Sequence, residues 1–157
     1  MEETLQGKKV SETSVVLVQK MTPQDANLAG NVHGGVIMRL IDDAAYVVAT
    51  RHCRCNTVTA SIDRMDFHNP IYVGDLVSLK ASLNLVGKTS MEIGVRVDSE
   101  NLKTGEISHG VSAYLTYVAL DEHGKPTSVP PLVLENEEDK RRNTEAQARR
   151  RIRLRER

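Results

Sequence analysis

Three successive segments alternate apolar and polar residues with a period of two. DLVSLKASLNLVG (75–87) places Val77, Leu79, Ala81, Leu83 and Leu85 on one side and Ser78, Lys80, Ser82 and Asn84 on the other. SMEIGVRVDSE (90–100) alternates Met91, Ile93, Val95 and Val97, and ISHGVSAYLTYVAL (107–120) alternates Ile107, His109, Val111, Ala113, Leu115 and Tyr117. NLKTGE (101–106) reads as the hairpin turn between the last two. Long period-two runs in series predict an antiparallel sheet with one core face and one wet face. ETSVVLVQKM (12–21) has the β-branched run of another strand, and TVTASIDRMDFHNP (57–70) alternates Val58, Ala60 and Ile62. A single long helix, from about residue 34 to 51, stands among these strands. One helix must therefore cover a whole sheet, which makes the fold class α+β.

That helix lies in GNVHGGVIMRLIDDAAYVVA (30–49). At the helical period, Ile37, Leu40, Ile41, Ala44, Val47 and Val48 share one stripe, the predicted core side. Asp42 and Asp43 interrupt the middle of the span and separate by face. Asp43 shares a line with Arg39, Tyr46 and Thr50, and Arg39 precedes it by one ion-pair spacing, so it reads as a solvated residue. Asp42 lies roughly 150° from the centre of the stripe. Its neighbours there are Gly35, Met38, Ala45 and Ala49, small or apolar. A carboxylate on such a face needs a partner or a job, so a second subunit or a ligand is expected against it.

The start of the helix points the same way. Gly34 and Gly35 allow close approach to the backbone, and the first N–H groups of a helix are unpaired at the positive end of its dipole. These are the parts of an oxyanion hole. Asn31, just before, has a side-chain amide able to hold a water or a carbonyl. Asp42 is two turns on, with its Cα about 10 Å from that of Gly35. The two ends could share one small site across a symmetric dimer.

Charge and composition narrow the functional classes. The chain has 157 residues, with 21 basic and 21 acidic. That balance argues against a dedicated nucleic-acid binder, and the absence of Trp with a single Phe argues against base-stacking platforms. Cys53 and Cys55, in RHCRC with His52, lack a second Cys/His cluster to complete a metal site, so they read as reduced thiols. There is no apolar run long enough to span a membrane and no secretory signal, so a cytoplasmic protein is expected. His33 and His52 resemble triad bases superficially, but no G-x-S-x-G elbow accompanies them.

Residues 1–10 are polar and expected to be loose, residues 11–132 form the domain, and residues 133–157 form a charged tail. The tail, acid-leading and Arg-rich at its end, reads as a solvated helix.

AGNVHGGVIMRLIDDAAYVVATRHC followed by TVTASIDRMDFHNPIYVGDLV resembles the acyl-CoA thioesterases of the hotdog fold, and the likeness runs from about Ser11 into the tail through GKTSMEIGVRVDSENLKTGE and VPPLVLENEEDKRR. The resemblance implies a long helix wrapped by a curved antiparallel sheet of five to six strands. It implies homodimers with a continuous sheet, assembled as trimers of dimers, with acyl-CoA bound at the dimer interface. The family's catalytic Asn falls on Asn31 and its catalytic Asp on Asp42, with the thioester carbonyl polarised at Gly35. The vertebrate relative carries two such domains in one chain and divides its Asn and Asp between them. One domain carries both here.

The expected reaction is hydrolysis of medium- to long-chain fatty acyl-CoA, with Asp42 as general base or nucleophile and neither metal nor cofactor. For the CoA phosphates, Lys88, Thr89 and Ser90 in GKTS are the best local candidates, although the same residues serve equally as a plain hairpin; Arg51, Arg64 and His68 are weaker ones. The competing reading is a non-catalytic acyl-CoA or lipid-binding module on the same fold.

Overall fold

The structure, a computed structural model, describes residues 4–156. The elements run β1 (Lys8–Lys9), α1 (Val10–Thr13), β2 (Val15–Lys20), a 3₁₀ turn (Pro23–Asp25), α2 (Gly34–Cys53), β3 (Asn56–Phe67), β4 (Leu76–Val86), β5 (Ser90–Glu100), β6 (Ile107–Leu120), β7 (Leu132–Val133) and α3 (Glu137–Arg155). Five strands form one antiparallel sheet in the order β2-β4-β5-β6-β3. Helix α2 crosses its inner face, giving the α+β hotdog arrangement that the alternating strands and single helix predict.

The core lies between α2 and that face. Ile37, Ile41, Ala44 and Val48 pack against Val77, Leu79, Leu83, Ile93, Val97, Val111 and Leu115, all buried. The buried side of α2 is turned from the predicted stripe: Ala45, Ala49 and His52 are fully buried, while Val47 is half-buried. Ala45 and Ala49 thus face the protein's own sheet, not a neighbouring molecule. Small side chains let the helix sit close to the strands.

Register shifts break the expected alternation: besides two between β3 and β6, at Thr59/Ser61 and Ile62/Arg64, one falls in each of two further pairs. Between β4 and β5 the register shifts at Leu83/Leu85, and Asn84 is buried. Between β5 and β6, Val97 pairs with Val111 but Asp98 pairs with His109, so Gly110 is an extra residue. A bulge of this kind reverses the faces beyond it. Ile107 is consequently exposed and His109 faces outward, although simple alternation puts both in the core.

Among the described residues, those flanking the domain at both ends are more ordered than the sequence suggests; residues 1–3 of the stretch expected to be loose lie outside them. Lys8 and Lys9, in the stretch expected to be loose, pair in parallel with Leu132 and Val133, and Val10 is buried. At the end of α2, Arg54 adopts the left-handed conformation (φ 53°) and donates its N–H to Thr50 O. This turn brings Cys55 back onto Cys53, so that the two sulfurs meet.

The tail differs most from expectation. Helix α3, capped by Asn136 accepting from Asp139 N–H, lies on the outer face of the sheet rather than in solvent. Arg142, Asn143, Ala146, Arg149 and Arg153 recur at helical spacing and form its inner side. Arg142 Nη1 donates to Ser82 Oγ at 3.1 Å and Asn143 Nδ2 to Asn84 O at 2.9 Å. Arg149 grips the buried Glu92 carboxylate through two bonds of 2.9 Å and stacks over Tyr114 at 3.6 Å. Arg153 pairs with Asp63. The face that reads as wet is therefore partly covered by a polar seam.

Candidate active site

The loop ahead of α2 is tied by its backbone. Asn27 N–H donates to Asn31 O, Val32 N–H to Ile71 O, and His33 N–H to Asp25 O, all within 2.8 Å. Gly30, at φ 89°, makes the reversal that returns the chain to Asn31. Beside it opens a cavity of about 260 Å³, lined by Asn27, Asn31, Gly34, Phe67, His68 and Asn69 among others. Both asparagines therefore face the N-terminus of α2.

His33 is the N-cap. Its Nδ1 accepts from Gly35 N–H at 3.1 Å. An imidazole here does what Ser or Thr does at other helix starts. The donor expected to polarise a carbonyl is thus engaged in this state. The His33 ring itself is exposed.

Asp42 is half-buried and does not line this cavity, in keeping with its position two turns along. Its carboxylate lies against two neighbouring strands. Thr59 Oγ1 donates to Oδ1 at 2.7 Å, and Tyr117 Oη donates both to Oδ1 and to the Asp42 carbonyl, the latter at 2.8 Å. Thr59 and Tyr117 are cross-strand partners on β3 and β6, so the sheet register sets both donors together. Burial raises the Tyr117 phenol well above its usual range, and its bond to Asp42 adds to the rise, so it stays a donor. Among the described residues, Asp42 Oδ2 has no hydrogen-bond partner. One oxygen is anchored and the other is left unbonded.

Thr59 and Tyr117 escape a reading of the sequence because nothing local joins them to Asp42. They are 17 and 75 residues away. The inward register of Tyr117, the one aromatic on the core face of β6, is the sole sequence hint. Asp43 is exposed, as expected, but among the described residues it makes no ion pair with Arg39.

Lys88 and Thr89 lie in the β4–β5 turn, and Ser90 starts β5. Ser90 pairs with Val118, near the C-terminal end of α2, whereas the cavity adjoins Phe67, which pairs with Val111. Seven residues of strand separate those points, about 23 Å. Within one chain these three residues do not join the cavity. Among the described residues no group of three or more His, Cys, Asp or Glu is arranged to hold a metal ion, and no helix is long and apolar enough to cross a membrane.

Comparison with known proteins decides the family. Residues 29–106 match the thioesterase superfamily. An acyl-CoA thioester hydrolase of Bacillus subtilis is 44% identical over 137 residues, 87% of this chain and 80% of that protein. The chain belongs to the acyl-CoA thioester hydrolases of the thioesterase superfamily. Rat cytosolic acyl coenzyme A thioester hydrolase is 40% identical over 89% of this chain, which spans 37% of that longer protein. Among solved structures, an apo-hexameric acyl-CoA thioesterase superposes with a TM-score of 0.93 at 38% identity, covering 97% of each chain. An acyl-CoA hydrolase of Staphylococcus aureus, solved with butyryl coenzyme A and coenzyme A, gives 0.87 at 33% identity, over 94% of this chain and 90% of that one. Structures of the same hydrolase in which an aspartate, an asparagine or a threonine is replaced by alanine match as well.

Proposed function

We propose that this thioester hydrolase cleaves medium- to long-chain fatty acyl-CoA into free fatty acid and CoA, at sites completed by pairing of two chains. The observation that carries the reading is the half-anchored Asp42 carboxylate, set two turns from a helix N-terminus that opens into a cavity lined by Asn27, Asn31 and Asn69. Each half lacks the other within one chain. A second copy brings them together: β3 is an edge strand of 12 residues whose Val58, Ile62 and Phe67 are exposed. An unpaired apolar edge of that length is a template for another strand. The hexameric relative supports a trimer of such dimers, and the cytosolic relatives support a cytoplasmic enzyme.

In this mechanism Asp42 Oδ2 removes a proton from water as the water attacks the thioester carbonyl, the C–S bond then breaks and that proton passes to the departing CoA thiolate; or Oδ2 attacks the carbon itself, expels the CoA thiolate and leaves an acyl anhydride that water hydrolyses to the fatty acid and free Asp42. The Gly35 N–H, released by His33, stabilises the oxyanion from the other chain. An asparagine side chain orients the water or carbonyl. In the S. aureus hydrolase the substituted asparagine precedes the substituted aspartate by 15 residues, and the threonine follows it by 17. Here Asn27 precedes Asp42 by 15 and Thr59 follows by 17. That spacing supports Asn27, in preference to Asn31, as the asparagine at the carbonyl; Asn31 then shapes the loop. Lys88, Thr89 and Ser90 reach the CoA phosphates only from a neighbouring subunit.

The test is Asp42→Asn assayed with palmitoyl-CoA by released thiol. A loss of about 100-fold or more is expected for an essential acid–base group. Turnover near that of the unmodified protein removes Asp42 from the chemistry, whereas acyl-CoA bound but not hydrolysed by the unmodified protein leaves the non-catalytic binding module as the correct reading.

A further inference from the structure

The bulge at Gly110 assembles a second chemical constellation, on the opposite face of the sheet from Asp42. By turning His109 outward, it places residues 109 and 112 on the same side, where an unbroken strand would separate them. His109 Nε2 lies 2.9 Å from Ser112 Oγ, and His109 Nδ1 lies 3.3 Å from Asp98 Oδ1. An ionised carboxylate can only accept, so Nδ1 carries the proton and donates to Asp98, leaving Nε2 to accept from the Ser112 hydroxyl. Asp98 is itself held by Arg96 Nε at 3.1 Å. The side chains of His109 and Asp98 are largely sheltered, at 23% and 15% exposure.

This order, hydroxyl to imidazole to carboxylate, is that of an activated serine. It is also placed to meet a reactant. Ser112 lines a cavity of about 480 Å³ between α3 and the sheet, together with Arg96, Tyr114, Arg142 and Arg149. Arg96 is the direct cross-strand partner of Ser112, with Cβ atoms about 5 Å apart. Its guanidinium, bonded to Asp98 and lining the same cavity, is a cationic donor available to an oxyanion there.

We propose that Ser112 is a second, serine-type nucleophile of this protein, which takes acyl groups from short activated esters and thioesters entering the cavity beneath α3. The Ser112 Oγ–C bond forms as its proton passes to His109 Nε2. The bond from the carbonyl carbon to the leaving oxygen or sulfur breaks, and His109 returns the proton to that leaving group. Water repeats the two steps to free the acid and regenerate Ser112. Nothing here depends on Asp42.

A biotinylated fluorophosphonate tests the proposal on the full chain, because it forms an Oγ–P bond with loss of fluoride and requires the same relay. One adduct per chain, mapped to Ser112 by peptide mass spectrometry, is expected. Ser112→Ala should abolish it, and His109→Gln, checked for native circular dichroism, should slow it at least 100-fold. Asp42→Asn should label at the unmodified rate, which separates this site from thioester hydrolysis. An unlabelled protein, an adduct elsewhere that survives Ser112→Ala, or unchanged labelling of folded His109→Gln each overturns it.

Discussion

Tyr117, buried in the core of the sheet, donates its hydroxyl hydrogen to both the side chain and the backbone carbonyl of Asp42. The tyrosine thereby joins helix α2 to strand β6 at the residue proposed to carry the chemistry. Tyr117→Phe removes both bonds while keeping the ring. It should lower kcat for acyl-CoA about tenfold with KM little changed, and lower stability by about 1 kcal/mol. Steady-state kinetics and urea denaturation of the one variant measure both. A proportional rise in KM instead would place Tyr117 in substrate binding.

Adjacent aspartates should behave oppositely. Asp43→Asn sits on the exposed side of α2 and should retain activity within about twofold, against the 100-fold or greater loss for Asp42→Asn. Equal losses would mean that the helix, not one carboxylate, is being disturbed.

Sharing of sites between chains makes a quantitative prediction. Asn27→Ala and Asp42→Asn chains are each expected to be inactive alone. Unfolded together and refolded as an equal mixture, half the dimers are mixed and carry one intact site of two, so roughly a quarter of full activity should return. No recovery would show that each chain supplies its own complete site. Repeating the mixture with Asn31→Ala in place of Asn27→Ala tells which asparagine meets the carbonyl.

The docking of α3 rests on a charge that would be orphaned without it. Glu92 is 2% exposed and is held by Arg149. Arg149→Ala should destabilise the fold by about 3 kcal/mol, because a buried carboxylate loses its partner. Pairing it with Glu92→Gln should restore most of the loss in chemical denaturation.

His52 supplies a pH dependence. Its ring is fully buried, Nε2 donates to Pro130 O at 2.7 Å, and Nδ1 has no partner among the described residues. Burial lowers its pKa below the usual 6.5, reinforced by the nearby Lys8 charge against the opposing pull of the Pro130 carbonyl. The unfolded chain therefore takes up the proton first as pH falls. The contribution from His52 is fully present above about 6.5 and declines below it, down to the lowered folded-state value. Urea midpoints measured between pH 7.5 and 5 should fall more steeply for the unmodified protein than for His52→Gln.

Much of this architecture was written in local pattern. The alternation in β4, β5 and β6 and the helical stripe through Ile37, Ile41, Ala44 and Val48 identify the fold class because side-chain period follows directly from backbone geometry. Asp42 was separable from Asp43 by face alone. What its face met was not: Ala45 and Ala49 press on the protein's own sheet, and the partners of Asp42 are Thr59 and Tyr117, brought together by strand register across 75 residues. Nor could the charge pattern of α3 say whether its arginines point to water or to Glu92. Periodicity records which residues share a side. Register, the bulge at Gly110 and the docking of one polar surface on another decide what that side touches, because those contacts form between segments distant in sequence and depend on the packed fold as a whole.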